Sequence, residues 1–420
     1  MVSDVQKRTF MALLLTALIY FVAFFFPNSK GIDKAGMQSI IGDEYVTYPN
    51  VLRILTPGKS FYETRANLFL YEDYHYGYPF YAFSALTLLP VRLIFGESFY
   101  QQGALNLMLL RQFISVLPMI LAAGILVYLQ TRFQSMWKSI ALFVFILLIR
   151  GVVRNNLWWW HPDALAVFCV VLTIFFLIRD RLRLGWDFYL AAAACGLATA
   201  IKLTGLFFFL TIPGYILAAC WKNRLDVLKI AAASALFVVV MGAVTVLSNP
   251  FLFSDDQRAR MVMIQEQKRE EIDKGYSHDN AIYYSKGPRW WVSTLEKWYG
   301  PPAFLLFIFA FSALGCFVGP KQFENRIILS FVIPYSIYML YFVAPKPDHY
   351  WLPVMLPLFS TVFSFFDVVS RVKAWRPEFV VNWPKLAEGL MGVILFAQFT
   401  AQILQRESGL ISAFIILLKS

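Results

Sequence analysis

Eleven stretches of this 420-residue chain are apolar over lengths that equal or approach the width of a bilayer. A helix needs roughly 20 apolar residues to cross the hydrocarbon layer. The runs 10–26, 108–129, 137–150, 157–178, 188–201, 203–221, 228–248, 301–319, 327–344, 349–366 and 386–404 fit that requirement, with 188–201 extending into its flanks. They are continuous, not alternating, which argues against the strands of a transmembrane β-barrel. The chain is 59% hydrophobic and 15% charged, against about 25% charged in soluble proteins. That apolar excess must face lipid. A soluble enzyme, a disordered chain and a disulfide-stapled secreted module are excluded. The expected fold class is all-α: a polytopic helical membrane protein with about 11 transmembrane helices.

The run 10–26 follows Lys7 and Arg8, as in a signal peptide. It is long for one, and Pro27-Asn28-Ser29-Lys30 offers no small-residue cleavage site, so it reads as a retained helix. Cys169, Cys195, Cys220 and Cys316 lie in or beside apolar runs without metal or redox spacing, and read as packing residues.

Net charge is +11. In a membrane protein such a balance reflects basic cytoplasmic loops, and no basic patch interleaved with aromatics points to nucleic acid. With a cytoplasmic amino terminus and 78–95 lying along the outer surface as an interfacial helix, the loops 130–138, 179–187, 222–229, 320–326 and 371–385 are cytoplasmic and hold 14 Lys/Arg. The short outer loops hold four: Arg150, Arg154, Lys202 and Lys346. Were 78–95 to cross, everything downstream would invert and the basic weight would lie outside. The tail 409–418 reads equally as a span or not. No internal repeat is visible.

Two long polar stretches, 27–77 and 250–300, then face outward, together with Arg150, Arg154, His161, Asp163, Lys202 and His349. An ionisable group within a spanning segment costs about 2.5–3.5 kcal/mol, so it faces a wet cavity or a partner. A polar cavity at the outer end is expected. In the first polar stretch, Gly42-Asp43-Glu44-Tyr45 sets two carboxylates side by side, one able to act as base while the other orients a ligand. The plainer reading is two solvated acids. Tyr71-Glu72-Asp73-Tyr74-His75-Tyr76-Gly77-Tyr78-Pro79 adds Asp73, His75 and rings suited to gripping a sugar or to forming an interfacial belt. The second polar stretch carries eight acidic and eight basic residues and reads as a solvated helix of opposite-charge pairs, or as a lid. No P-loop, Gly-x-Ser-x-Gly or dinucleotide fingerprint occurs.

Taken in order, these features resemble the GT-C glycosyltransferases, in the branch of the protein O-mannosyltransferases and the lipid A aminoarabinose transferase. The resemblance is carried by Asp43-Glu44 after the first helix, the Tyr78-Pro79 start of an amphipathic segment, and Arg111 opening the next helix. Trp158-Trp159-Trp160-His161-Pro162-Asp163, Lys202-Leu203-Thr204-Gly205 and Asp348-His349-Tyr350-Trp351-Leu352-Pro353 follow. It covers roughly 1–250 well and the rest loosely. The tandem prolines frequent in that family are reduced to Pro79, and no soluble carboxy-terminal domain is expected after the helices.

The resemblance implies residues 1–250 as a catalytic transmembrane module, with juxtamembrane helices in its outer loop 27–107, then an outer loop 251–300 and a variable module 301–420. It implies inverting transfer of a sugar from a polyprenyl-phosphate donor to a lipid, glycan or protein acceptor at the outer face of a bacterial inner membrane. Asp43 would be the base and Glu44 would orient the acceptor. Arg154 and Lys202 would meet the leaving phosphate, with Arg150 and His349 behind them. Asp73, His75, His161 and Asp163 complete the expected substrate site. No cofactor is expected. A divalent metal on Asp43 with Glu44 or Asp73 is permitted by the acid-rich loop and not required by that branch. The rival readings are a transporter or lipid flippase, with pseudo-symmetric halves and broken helices at mid-membrane, and a non-catalytic subunit of the same fold.

Overall fold

The computed structural model describes residues 3–29, 42–71, 73–157, 159–224, 226–275 and 285–368, and every regular element among them is helical. The chain runs through α1 (Asp4–Asn28), α2 (Gly42–Ile54), α3 (Phe61–Phe69), α4 (Tyr78–Phe95) and α5 (Gly103–Thr131). Next come α6 (Met136–Leu147), α7 (Arg150–Asn156), α8 (Asp163–Asp180), α9 (Trp186–Lys202), α10 (Thr204–Asn223) and α11 (Val227–Leu247). The last are α12 (Asp255–Lys274), α13 (Val292–Trp298), α14 (Pro302–Gly315), α15 (Gln322–Phe342) and α16 (Asp348–Val368).

Among the described residues, 7 helices are long and apolar enough to cross a membrane, or up to 9 if each of two bent pairs is one span. The chain is a multi-pass helical membrane protein. Of the eleven expected spans, 386–404 lies outside the described residues, as does 409–418. Two others are real helices that fall short of the usual membrane-span profile. α8 has 18 residues but holds Asp163, Arg179 and Asp180, and α9 has only 17. At about 1.5 Å per residue, α8 still measures about 27 Å, close to the hydrocarbon thickness. The bent pairs are α6 with α7, at 65°, and α13 with α14, at 82°. Pro301 and Pro302 lie at the second break, where proline's missing N–H and its clash with the preceding residue end one helix and start another.

Lipid-facing surface explains the composition. In α11 only Ala233 and Phe237 are buried out of 21 residues, and α1 leaves Leu14, Leu15, Leu18 and Ile19 exposed. Water would not tolerate such continuous apolar faces. The interior is built on α5, α8, α9 and α16, the last of which is almost wholly buried. Ala191, Ala192, Ala194, Cys195 and Ala198 lie buried on α9, small enough to let neighbouring helices approach closely, where dispersion contacts replace the missing hydrophobic drive.

The bundle has two chemically different ends. One is tied by Gln6 donating to the Arg132 carbonyl, Lys321 to the Leu129 carbonyl, Arg132 to Glu324 and Asn223 to the Leu182 carbonyl. It gathers the basic loops after α5, α8 and α10 and before α15. The other end is tied by Asn28 donating to the Asn156 carbonyl, Gly77 to the Ile201 carbonyl, the Tyr78 N–H to Asn249 and Tyr299 to the Asp348 carbonyl.

α4 is apolar enough to span, but both of its ends lie at this second end of the bundle. Tyr78 is fixed to Asn249, while residues 96–102 lead into Gly103, eight residues before Arg111, whose guanidinium donates to the Asn28 carbonyl. α4 therefore lies along one end of the bundle, packed on α2 and α5.

Candidate functional site

Six of the expected side chains converge at that end. Asp163 opens α8, and is buried with both oxygens engaged. Lys202, the last residue of α9, donates to its Oδ1, and His161 Nδ1 lies against Oδ2 in close contact, off the line of an ideal hydrogen bond. His349, at the start of α16, brings Nε2 to 3.9 Å from the same Oδ2. Asp43, at the start of α2, stands at the mouth: its side chain is 56% exposed and Oδ2 is 3.9 Å from His161 Nε2. Arg154, at the end of α7, has no ion-pair partner among the described residues and lies over the Trp159 ring at 5.9 Å.

Local sequence explains each position. Leu203 follows Lys202 in the left-handed region, φ 57°, which ends α9 at the lysine. Gly205 then lies so close to α9 that a Cβ would stand 2.1 Å from the Cys195 carbonyl oxygen. Gly77 is equally constrained: a Cβ there would be 1.6 Å from the Ala200 oxygen. That contact presses the loop before α4 onto the end of α9 and carries Tyr76 into the site. Pro162 precedes α8, and Asp163 in its first turn complements the helix dipole.

Tyr76 is the residue that sequence reasoning missed. Its hydroxyl is 2.7 Å from His161 Nε2. Burial, and then the charges of Asp43 and Asp163, hold the phenol well above its ordinary value, so it keeps its proton and donates. His161 then accepts at Nε2 and turns its Nδ1–H toward Asp163. Nothing in the sequence distinguishes Tyr76 from Tyr71, Tyr74 and Tyr78; only the Gly77 contact with α9 singles it out. Rings enclose the cluster. Trp159 stacks on His161 at 4.4 Å, His349 meets Trp159 at 4.6 Å, and Lys202 Nζ stands 5.0 Å over Tyr350. Trp158 lies outside the described residues.

Other expected residues are placed differently. Glu44, expected to orient an acceptor beside Asp43, is turned inward and sealed. Arg111 donates to both of its oxygens, at 2.9 and 2.6 Å, and the Trp160 N–H donates at 2.6 Å. Both partners of this bidentate pair are fully buried, so Glu44 anchors α2 and thereby positions Asp43. Arg150, expected near the phosphate, donates to the Lys297 carbonyl at 2.8 Å and lies over Trp298, pinning α7 to α13. Asp73 and His75 form a separate pair at 2.6 Å. Burial pushes the Asp73 carboxyl up, but hydrogen bonds from His75 and Tyr81 outweigh it and hold the group below its ordinary value. The Asp73 charge reaches Tyr76, but neither Asp73 nor His75 contacts Asp163 or Lys202 among the bonds of the described residues. Tyr71 and Tyr74 are buried against Tyr81 and Phe251, as packing and not as a sugar platform. Glu72 lies outside the described residues.

The metal alternative changes accordingly. Arg111 seals Glu44, and His75 and Tyr81 hold Asp73, so neither joins Asp43 as a donor set. His161, Asp163 and His349 bring ligand atoms within 4.8 Å of one another, a nitrogen and oxygen set that zinc accepts. As arranged, Lys202 supplies the positive charge on Asp163, and a cation would have to displace it.

α12 is the helix of alternating charge expected from the second polar stretch, with pairs Lys268–Glu271 at 3.3 Å and Lys274–Glu270 at 3.9 Å. It is docked on the site loop: Tyr74 donates to Gln257, and Gln265 donates to the Tyr74 carbonyl at 2.8 Å. No family model and no curated protein matches the chain.

Proposed function

We propose that the protein is an integral-membrane glycosyltransferase of GT-C type, moving a sugar from a polyprenyl-phosphate donor to an acceptor at the outer face of a bacterial inner membrane. The observation that carries this reading is the half-exposed carboxylate of Asp43 beside a buried His161–Asp163–Lys202 cluster, with Arg154 nearby over the Trp159 ring. Asp43 takes the proton of the acceptor hydroxyl as the new glycosidic bond forms at the anomeric carbon. The lipid phosphate leaves with the electrons of the broken bond. Arg154 and Lys202 meet its growing charge in a site poor in water, where such contacts count most. His161, held by Tyr76 and Asp163, lines the path between base and phosphate.

The transport reading expects charged groups near the middle of the membrane; here Asp163 opens α8 and Lys202 closes α9. The test is transfer by the purified protein from polyprenyl-phosphate sugars in detergent. D43N should lower the rate by about 10²–10⁴-fold, the range for loss of a general base, with membrane yield unchanged. Transfer at the wild-type rate by D43N would remove Asp43 as the base. No transfer by the wild type from any such donor would remove the enzyme reading.

A further inference from the structure

A cavity lies at the basic end of the bundle, distant from the site. It encloses about 550 Å³ between α1, α5 and α8. From Asp163 to Arg179 along α8 is about 24 Å at 1.5 Å per residue, so the two regions are separated by most of the bundle's height. The walls are apolar, with Leu14, Leu121 and Phe175 among them, and Leu14 and Leu121 are open to the membrane. Gly124 faces into the space: a Cβ built on it meets nothing within 4 Å. Arg132 and Arg179 close the polar end.

Charge selects the occupant. Arg132 meets Glu324 at 3.0 Å, and Lys321 shares that carboxylate at 3.7 Å while also facing Asp367. Arg179 pairs with Asp187 while its side chain stays 60% exposed. The neighbouring Asp180 is turned away to cap the loop, accepting from the backbone N–H groups of Arg183, Leu184 and Gly185. The loops 130–138, 179–187 and 320–326 that meet here carry seven Lys/Arg against the three acids Asp180, Asp187 and Glu324, so net positive charge remains at the mouth of an apolar slot. A guanidinium grips a phosphate with two parallel hydrogen bonds, and basic pockets between membrane helices select anionic headgroups.

We propose that this groove binds an anionic diacyl phospholipid, with an acyl chain against Leu14, Leu121 and Gly124 and its phosphate at Arg132 and Arg179. The site is independent of the proposed transfer chemistry.

The experiment reconstitutes the full chain into nanodiscs of phosphatidylglycerol and phosphatidylethanolamine in equal parts and weighs the released protein by native mass spectrometry. Wild type should retain phosphatidylglycerol in preference. R132Q/R179Q should lose that preference by about fivefold for each arginine removed. G124F, which fills open space and leaves the Glu324 pair intact, should lower retention of both lipids. Equal retention of the two lipids by wild type, or unchanged preference in R132Q/R179Q, would overturn the proposal. So would disulfide capture of a cysteine at 124 by one placed along 386–404, since the chain would then fill its own groove.

Discussion

At the scale of single residues, the site depends on how buried charges are paired. Removing one partner of a buried ion pair leaves the other stranded, at a cost of about 3–5 kcal/mol, whereas removing both is far milder. K202M should accordingly lower the thermal midpoint in detergent, by an amount near the lower end of that range because His161 still touches Asp163. D163N/K202M should recover most of the lost stability and remain inactive in transfer. A double variant no more stable than K202M would show that the pair does not hold the site. Lys346, between α15 and α16, gives a pH signature: burial depresses its ammonium from 10.5 to about 8. Between those values the unfolded chain binds more protons than the folded one, so stability should rise as the pH climbs from about 8 toward 10.5. K346M should flatten that slope in a thermal-melt series. Sequence alone identified the charged members of the cluster, because charges at membrane level are few. It could not tell Asp43 from Glu44: neighbouring side chains point apart, and only the packing of Arg111 decides which one faces inward.

At the scale of elements, close backbone contacts fix where the charged helix ends meet. Gly77 is the strictest, since an added Cβ would strike the backbone oxygen of Ala200, which no rotamer change relieves. G77A should cost about 1–3 kcal/mol through overpacking and reduce transfer by moving Tyr76 away from His161. G214A is the control. Its Cβ meets nothing within 4 Å, so it should be neutral or stabilising by up to about 1 kcal/mol. Thermal melts of the two variants side by side check both expectations, and a harmless G77A would detach the loop from α9. The apolar runs revealed most helices, since the hydrocarbon layer demands continuous stretches. They did not reveal the break between α6 and α7. Nor did they show that Asp163, Arg179 and Asp180 lie within the single helix α8.

At the scale of the whole molecule, the division of charge between the two ends was legible in the loops, and the tethers at each end agree with it. Arg132, Arg179 and Lys321 gather at one end, and Asp43, Asp163 and Lys202 at the other. The tyrosine-rich loop could not be read in the same way. Sugar platforms, interfacial belts and buried packing use the same residue, and Tyr71 and Tyr74 proved to be packing. The proposed substrate, part lipid and part sugar, would need both the ring-lined charged end around Asp163 and the lipid-facing flanks. The most direct measurement is mass spectrometry of lipid that copurifies with the protein from native membranes. The expected result is a polyprenyl phosphate bearing a hexose or pentose, retained by wild type and strongly reduced in R154Q. Bulk phospholipid alone, or the same lipid-linked sugar held equally by R154Q, would contradict it.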